Sequence, residues 1–226
     1  MEEFPRSPRN RVRRLPKRGH YDRRTIYAIL DAGFLAHVGF CIEGQPYVIP
    51  TAYGREGDVL YIHGASTSRM LGHLEQGHPL CLSVTHLDGL VLARSAFNHS
   101  MNYRSVVVFG RATLVEGAEK LRALEVISEQ ILKGRWAEVR QPSEKELRAT
   151  TVLKIPMEEA SAKIRSGPPG DEKADYALPV WAGVVPLERV WAAPQPDPLL
   201  AAGIPLADSV RRLLEGGESE ENDTAD

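Results

Sequence analysis

The sequence holds little cysteine, few aromatic residues, no long apolar run and almost no net charge, and each shortage excludes something. Cys41 and Cys81 are the two cysteines in 226 residues, too few for a disulfide framework or a four-cysteine metal site. Both lie in apolar runs and read as buried free thiols. No stretch approaches the roughly 20 apolar residues of a membrane span. The N-terminal segment is basic without the apolar centre of a secretory signal. A cytoplasmic protein with no membrane partner is therefore expected. Lys and Arg number 28 and Asp and Glu 30, a formal charge of −2, which makes no overall case for nucleic acid. The patterns HExxH and CxxC are absent, and the histidines His20, His37, His63, His73, His78, His86 and His99 are scattered, so no metal site is expected. There is no GxSxG elbow for a serine hydrolase, no Walker ending, no dinucleotide fingerprint and no internal repeat.

What is present fits a globular protein. Hydrophobic residues make up 42% and charged residues 26%, and a 25.0 kDa chain folded as a compact monomer keeps about 10,000 Å² exposed. The charge is unevenly placed. Residues 1–24 carry nine Lys/Arg against three Asp/Glu, and residues 215–226 carry six Asp/Glu and no Lys/Arg. The first reads as a basic arm, solvated or wrapped on another subunit, and the second as a disordered acidic tail. The expected organisation is an arm over 1–24, one domain over 25–195 and an extension over 196–226.

Between the ends the periodicity is largely that of strands. A short helix is predicted over Thr25–Ala32, capped by Asp22. Phe34–Ile42 and Pro46–Tyr53 read as a hairpin across Glu43-Gly44-Gln45, followed by a strand over Val59–His63. Ser66-Thr67-Ser68 opens a helix through Met70, Leu71 and Leu74. Leu80–Thr85 and Leu90–Ser95 read as a hairpin turning at Asp88-Gly89, and Ser105–Val115 as a long β-branched strand. Glu119–Lys133 is the clearest helix, with Leu121, Leu124, Ile127, Ile131 and Leu132 on one face. Ser143-Glu-Lys-Glu146 has the capping-box pattern. Late strands are predicted at Thr151–Ile155, Lys163–Ser166 and Val190–Ala193. Six or more strands at hairpin spacing with three or four helices indicate a mainly β, antiparallel barrel with added helices.

Three regions can carry chemistry. In Tyr61-Ile-His-Gly-Ala-Ser-Thr-Ser-Arg-Met70 a strand ends at His63, Gly64 frees the backbone, and hydroxyls lead into a helix whose first turn holds Arg69. Amides at a helix start, hydroxyls and a guanidinium together make a phosphate cradle; an ordinary N-cap beside a surface arginine has the same spacing. Asn98–Ser105 gathers polar groups before an apolar strand, as a site or as a solvated loop. The turns Lys163–Pro169 and Pro179–Pro186 flank an acidic spacer, and Trp181 in the second can pack on a planar ligand or on protein.

These residues resemble the pyridoxamine 5′-phosphate oxidase-like flavoproteins, in the branch of the nitroimidazole-resistance and flavin-nucleotide-binding proteins. The resemblance spans roughly residues 10–195. It rests on His63-Gly64-Ala65, Arg69, Tyr103-Arg104-Ser105-Val106, the Arg-x-Gly-Pro-Pro of Arg165–Pro169 and the Trp-Ala-Gly-Val-x-Pro of Trp181–Pro186. It implies an FMN-binding split β-barrel that holds FMN between the subunits of a homodimer. The phosphate falls to Ser66, Thr67, Ser68 and Arg69. The ring falls beside Ile49-Pro50-Thr51, His63 and Tyr103–Val106, with Trp181 approaching from the rim or the partner. FMN rather than FAD also follows from the lack of a dinucleotide fingerprint.

The implied activity is hydride transfer between flavin and a small planar substrate such as a nitroaromatic. His63 is a weak catalytic candidate, as proton donor or as hydrogen-bond partner of the cofactor. A flavin carrier or sensor without turnover, or a haem- or deazaflavin-binding relative, is the alternative. Two departures matter. Arg69 stands where relatives often carry Lys, and the core ends in Leu187-Glu-Arg-Val-Trp191 rather than the Arg-x-His of the vitamin B6 oxidases, which argues against pyridoxamine phosphate as substrate.

Overall fold

The computed structural model describes residues 2–218, which form ten strands and five α-helices. The strands are β1 (Gly19–His20), β2 (Leu35–Ile42), β3 (Gln45–Glu56), β4 (Val59–Ala65), β5 (Pro79–Leu92), β6 (Ser100–Arg111), β7 (Thr113–Leu114), β8 (Thr150–Pro156), β9 (Glu159–Arg165) and β10 (Gly183–Pro186). The helices are α1 (Arg23–Asp31), α2 (Arg69–Leu74), α3 (Gly117–Ile131), α4 (Glu144–Ala149) and α5 (Asp208–Glu218). Every strand pairing is antiparallel, in the order β1-β9-β6-β5-β2-β3-β4-β8-β7, with β10 added to β5. The two ends of this order are not hydrogen-bonded to each other, so the barrel is split. No helix among the described residues is long and apolar enough to cross a membrane.

Alternation along the strands sorts the side chains into two cores. Leu60 and Ile62 of β4 point into the barrel with Ala36, Val38, Tyr53, Leu82, Val106, Val108 and Leu153. α1, capped by Asp22 through the Thr25 amide at 2.8 Å, adds Ile26, Ile29 and Leu30 to that core. Tyr61 points outward and joins Val152, Ala123, Val126 and Ile127 in a second core, where α3 lies on the outside of β3, β4 and β8.

Several expectations are corrected. Asp88-Gly89 is not a hairpin turn. β5 runs straight through it as one 14-residue strand with an irregularity between Leu87 and Gly89, and pairs with β6 on both sides of that point. The glycine is required because β10 crosses there: a Cβ on Gly89 would lie 2.7 Å from the Val185 carbonyl oxygen. The last strand is Gly183–Pro186, not Val190–Ala193, which is irregular and exposed. The Arg- and Pro-rich N-terminus packs on its own chain: Phe4 is buried in the core, Asn10 bonds the Ala160 carbonyl, and Arg9 pairs with Glu159 at 2.6 Å. Cys41 is exposed and Cys81 half-buried, because the outer faces of β2 and β5 carry them. Of the tail expected to be disordered, residues 215–218 complete α5; the remainder, 219–226, lies outside the described residues.

Candidate functional site

β3 and β4 are hydrogen-bonded neighbours up to Tyr53 opposite Ile62; beyond that point Ile49–Thr51 pair with β2 and His63–Ala65 with β8. Ile49 packs on the barrel core, Thr51 is half-buried and Pro50 is exposed. β4 continues through Gly64 and Ala65, where Gly64 leaves room for Leu71, whose Cδ1 would lie 3.1 Å from an added Cβ. Ser68 is the N-cap of α2 and accepts from the Leu71 amide at 3.4 Å.

The cradle is poorer in free amides than its spacing implies. Ser66 N donates to Ala149 O and Ser68 N to Ala65 O, each at 2.9 Å. Beside the amides of Thr67, Arg69 and Met70, which these bonds do not use, the segment offers an anion the exposed hydroxyls of Ser66 and Thr67 and the Arg69 guanidinium, which lies 4.5 Å over the Tyr47 ring. That stack starts a ladder: Tyr47 lies on Phe40, Phe40 meets His73, and His73 stacks on His78 with centroids 4.0 Å apart. The two histidines are brought together by the turn after α2, although their five-residue spacing does not align them on one helix face.

The β6 residues stand on a strand that does not pair with β4. β6 is separated from β4 by β5, β2 and β3, roughly 19 Å along the sheet at the usual strand spacing. Arg104 is held by Asp88 through bonds of 2.8 and 3.0 Å, and Ser105 Oγ donates to Lys163 O. Tyr103 is half-buried, and Val106 is fully buried with its side chain in the barrel core. Trp181 is 65% exposed and lies beside Gly183. The acidic spacer before it has a definite job: Asp171 accepts from the Arg94 and Ser95 amides and pairs with the Arg94 guanidinium, tying residues 166–180 to the end of β5.

His63 faces outward, like Tyr61, and lines a cavity of about 430 Å³ between β4, α3 and α4. Its walls are Leu124, Ile127 and Ile131 of α3, Trp136 in the connection, and Leu147 of α4; Arg140 and Glu146, paired at 2.7 Å, stand at its edge. The imidazole makes no hydrogen bond within the protein, and its buried Nδ1 lacks any partner. Burial holds its pKa below the ordinary histidine value, so at neutral pH the ring is uncharged. Such a ring is a poor proton donor and a good ligand or acceptor.

This cavity is absent from the sequence reading, and α3 explains why. The stripe expected to face the core divides in two. Ala123, Val126 and Ile127 are buried against the sheet, whereas Leu124 and Ile131 look into the cavity, Ile131 being 43% exposed. The signal was an apolar face wider than one packing surface needs.

The pyridoxamine 5′-phosphate oxidase family profile matches residues 22–164. Among curated proteins no relative matches the chain. Among solved structures, the flavocytochrome Anf3 from Azotobacter vinelandii is 42% identical, covers 91% of this chain and 96% of its own, and superposes with a TM-score of 0.86. The FAD and haem binding protein from Mycobacterium smegmatis is 39% identical over 87% of this chain and 97% of its own, with a TM-score of 0.84. A Bacteroides thetaiotaomicron protein assigned to 5-nitroimidazole antibiotic resistance is 26% identical over 65% of this chain and 86% of its own, with a TM-score of 0.55.

Proposed function

Because the chain belongs to the pyridoxamine 5′-phosphate oxidase family of flavin-binding split barrels, we propose that it works as a flavin-dependent oxidoreductase that also carries haem. The observation that carries this reading is near-complete similarity, over 91% and 87% of the chain, to two proteins named for flavin and haem together. The nitroimidazole-resistance likeness covers 65% of this chain. It supports a small planar acceptor, with a nitroaromatic as the first compound to try.

When bound, the flavin supplies hydride and single-electron chemistry; the protein supplies binding, orientation and exclusion of water. Ser66, Thr67 and Arg69 fit a flavin phosphate. FMN and FAD share that phosphate and the ring, so these residues serve either form. FMN agrees with the missing dinucleotide fingerprint, and FAD with the name of the mycobacterial relative. A carrier or sensor without turnover is the second reading, favoured by the neutral state of His63.

The working unit in this reading is a homodimer. A site split between β4 of one subunit and β6 of its partner accounts for the three strands that separate β4 from β6 in the sheet order. The chain exposes 14,731 Å², well above the roughly 10,000 Å² of a compact monomer of this mass. Exposed, unpaired Cys41 suits a reducing compartment, and we take that to be the cytoplasm.

The test is the absorbance spectrum of the purified full-length protein, with mass spectrometry of the released small molecules, followed by NAD(P)H-driven reduction of a nitroaromatic. Flavin and Soret bands with turnover are expected. A protein without flavin absorbance that takes up neither FMN nor FAD would exclude this function.

A further inference from the structure

We propose that the cavity between β4, α3 and α4 is a b-type haem site in which His63 is the iron ligand. The inference rests on the flavin-and-haem reading above, and it names the residue and the place.

Four features of the cavity agree. His63 offers an imidazole with no hydrogen-bond partner, at a depth where polar atoms are nearly always satisfied. Since Nδ1 is buried out of solvent contact, the nitrogen left to face the cavity is Nε2, which has no partner in the protein and can offer its lone pair to haem iron. The ring is neutral by virtue of its burial, the form that ligates. The wall is apolar and partly aromatic, lined by Leu124, Ile131 and Trp136, of which Leu124 also packs on the second core and Ile131 is exposed, and about 430 Å³ lies within the range of cofactor pockets. At the edge stands Arg140, a cation that can meet a propionate in place of Glu146.

The competing histidines are engaged. His86 is bonded to the Ile29 carbonyl oxygen, and His99 contacts Ser95 O. His73 also has a partnerless Nε2, but its ring is stacked on His78 and packed near Phe40.

Haemin titrated into the flavin-loaded full-length protein tests the assignment. A Soret band of histidine-ligated haem, saturating at one haem per chain, is expected. His63→Ala should lose that spectrum and weaken haemin binding about 100-fold or more, since groups that merely support a ligand cost 10–100-fold. Added imidazole should restore the spectrum in His63→Ala, an outcome that a misfolded variant would not give. His73→Gln should titrate as wild type with unchanged flavin content. Wild-type haemin affinity and spectrum in His63→Ala would overturn the assignment, as would failure of the flavin-loaded protein to take up haemin. Histidine-dependent haemin binding in a protein that binds no flavin would support the haem site and reject the flavin reading.

Discussion

His63 and Arg69 stand six residues apart at the same end of β4, and their environments set opposite tasks. His63 is held neutral by desolvation. A depressed histidine pKa means that the unfolded chain binds a proton the folded chain refuses. Stability is therefore full above the unfolded value, near 6.5, and falls as pH drops from there toward the folded value. In the ligand-free protein His63→Gln should flatten the stability–pH curve between about pH 7 and 5, as read by urea denaturation; an unchanged slope would show that the ring titrates normally. Arg69 is exposed and contributes little to the fold beyond its stack on Tyr47. Arg69→Ala should leave stability within about 1 kcal/mol. If the guanidinium holds the flavin phosphate, affinity should fall roughly 10- to 150-fold, with Arg69→Lys losing less. Fluorescence quenching of FMN and of FAD by apo-protein measures this, and wild-type affinity in Arg69→Ala would remove it from the site.

At the scale of elements, α3 decides whether the cavity exists. It lies so close to β3 that a Cβ on Gly54 would sit 2.7–2.8 Å from backbone atoms of Ile127 and Val126. Backbone cannot swing aside as a flexible side chain can, so Gly54→Ala should displace the helix at a cost of about 1–3 kcal/mol and weaken haemin binding with it. Denaturation and haemin titration on the same sample check both, and an unperturbed variant would mean that the wall is more pliable than its contacts imply.

α4 closes the other side. Its capping box is complete: Ser143 Oγ accepts from Glu146 N, and Glu146 accepts from Ser143 N at 2.7 Å. The Arg140 guanidinium, and then the Ser143 bonds, hold the Glu146 carboxyl well below the usual range. The cap should therefore persist as pH falls through 4.5 and open only in stronger acid. Both the capping box and the Asp22 cap of α1 were legible in the sequence, because caps are local: donor and acceptor lie three residues apart. The β5 error has the opposite origin. Asp-Gly has turn composition, but here the glycine serves the close passage of β10, which arrives from nearly a hundred residues away.

For the whole molecule, the outer face of the barrel is the open question of surface. Val48 on β3 is 67% exposed and lies opposite Gly39 on β2, and the irregular segment beyond β10 exposes Val190, Trp191 and Leu199 at 83, 57 and 92%. These exposed apolar residues are the ones the proposed dimer would cover. Light scattering should return twice the 25.0 kDa chain mass. Val48→Asp should be nearly neutral in a monomer, within about 0.5 kcal/mol, but should split a dimer that buries it and release the flavin. A monomeric, flavin-bound wild type would refute the shared site.

The sequence by itself determined the antiparallel strand-and-helix plan, the caps and, through His63-Gly-Ala and Arg-x-Gly-Pro-Pro, the family. These are properties of neighbours in the chain, written in two-residue and 3.6-residue periods. Only the tertiary structure decided that the basic N-terminus packs on its own barrel, that β6 and β4 are separated by three strands in the sheet order, and that part of α3's apolar face lines a cavity around His63. Those outcomes depend on which surfaces meet across long sequence separations. An apolar residue has the same identity whether it fills a core or waits for a ligand.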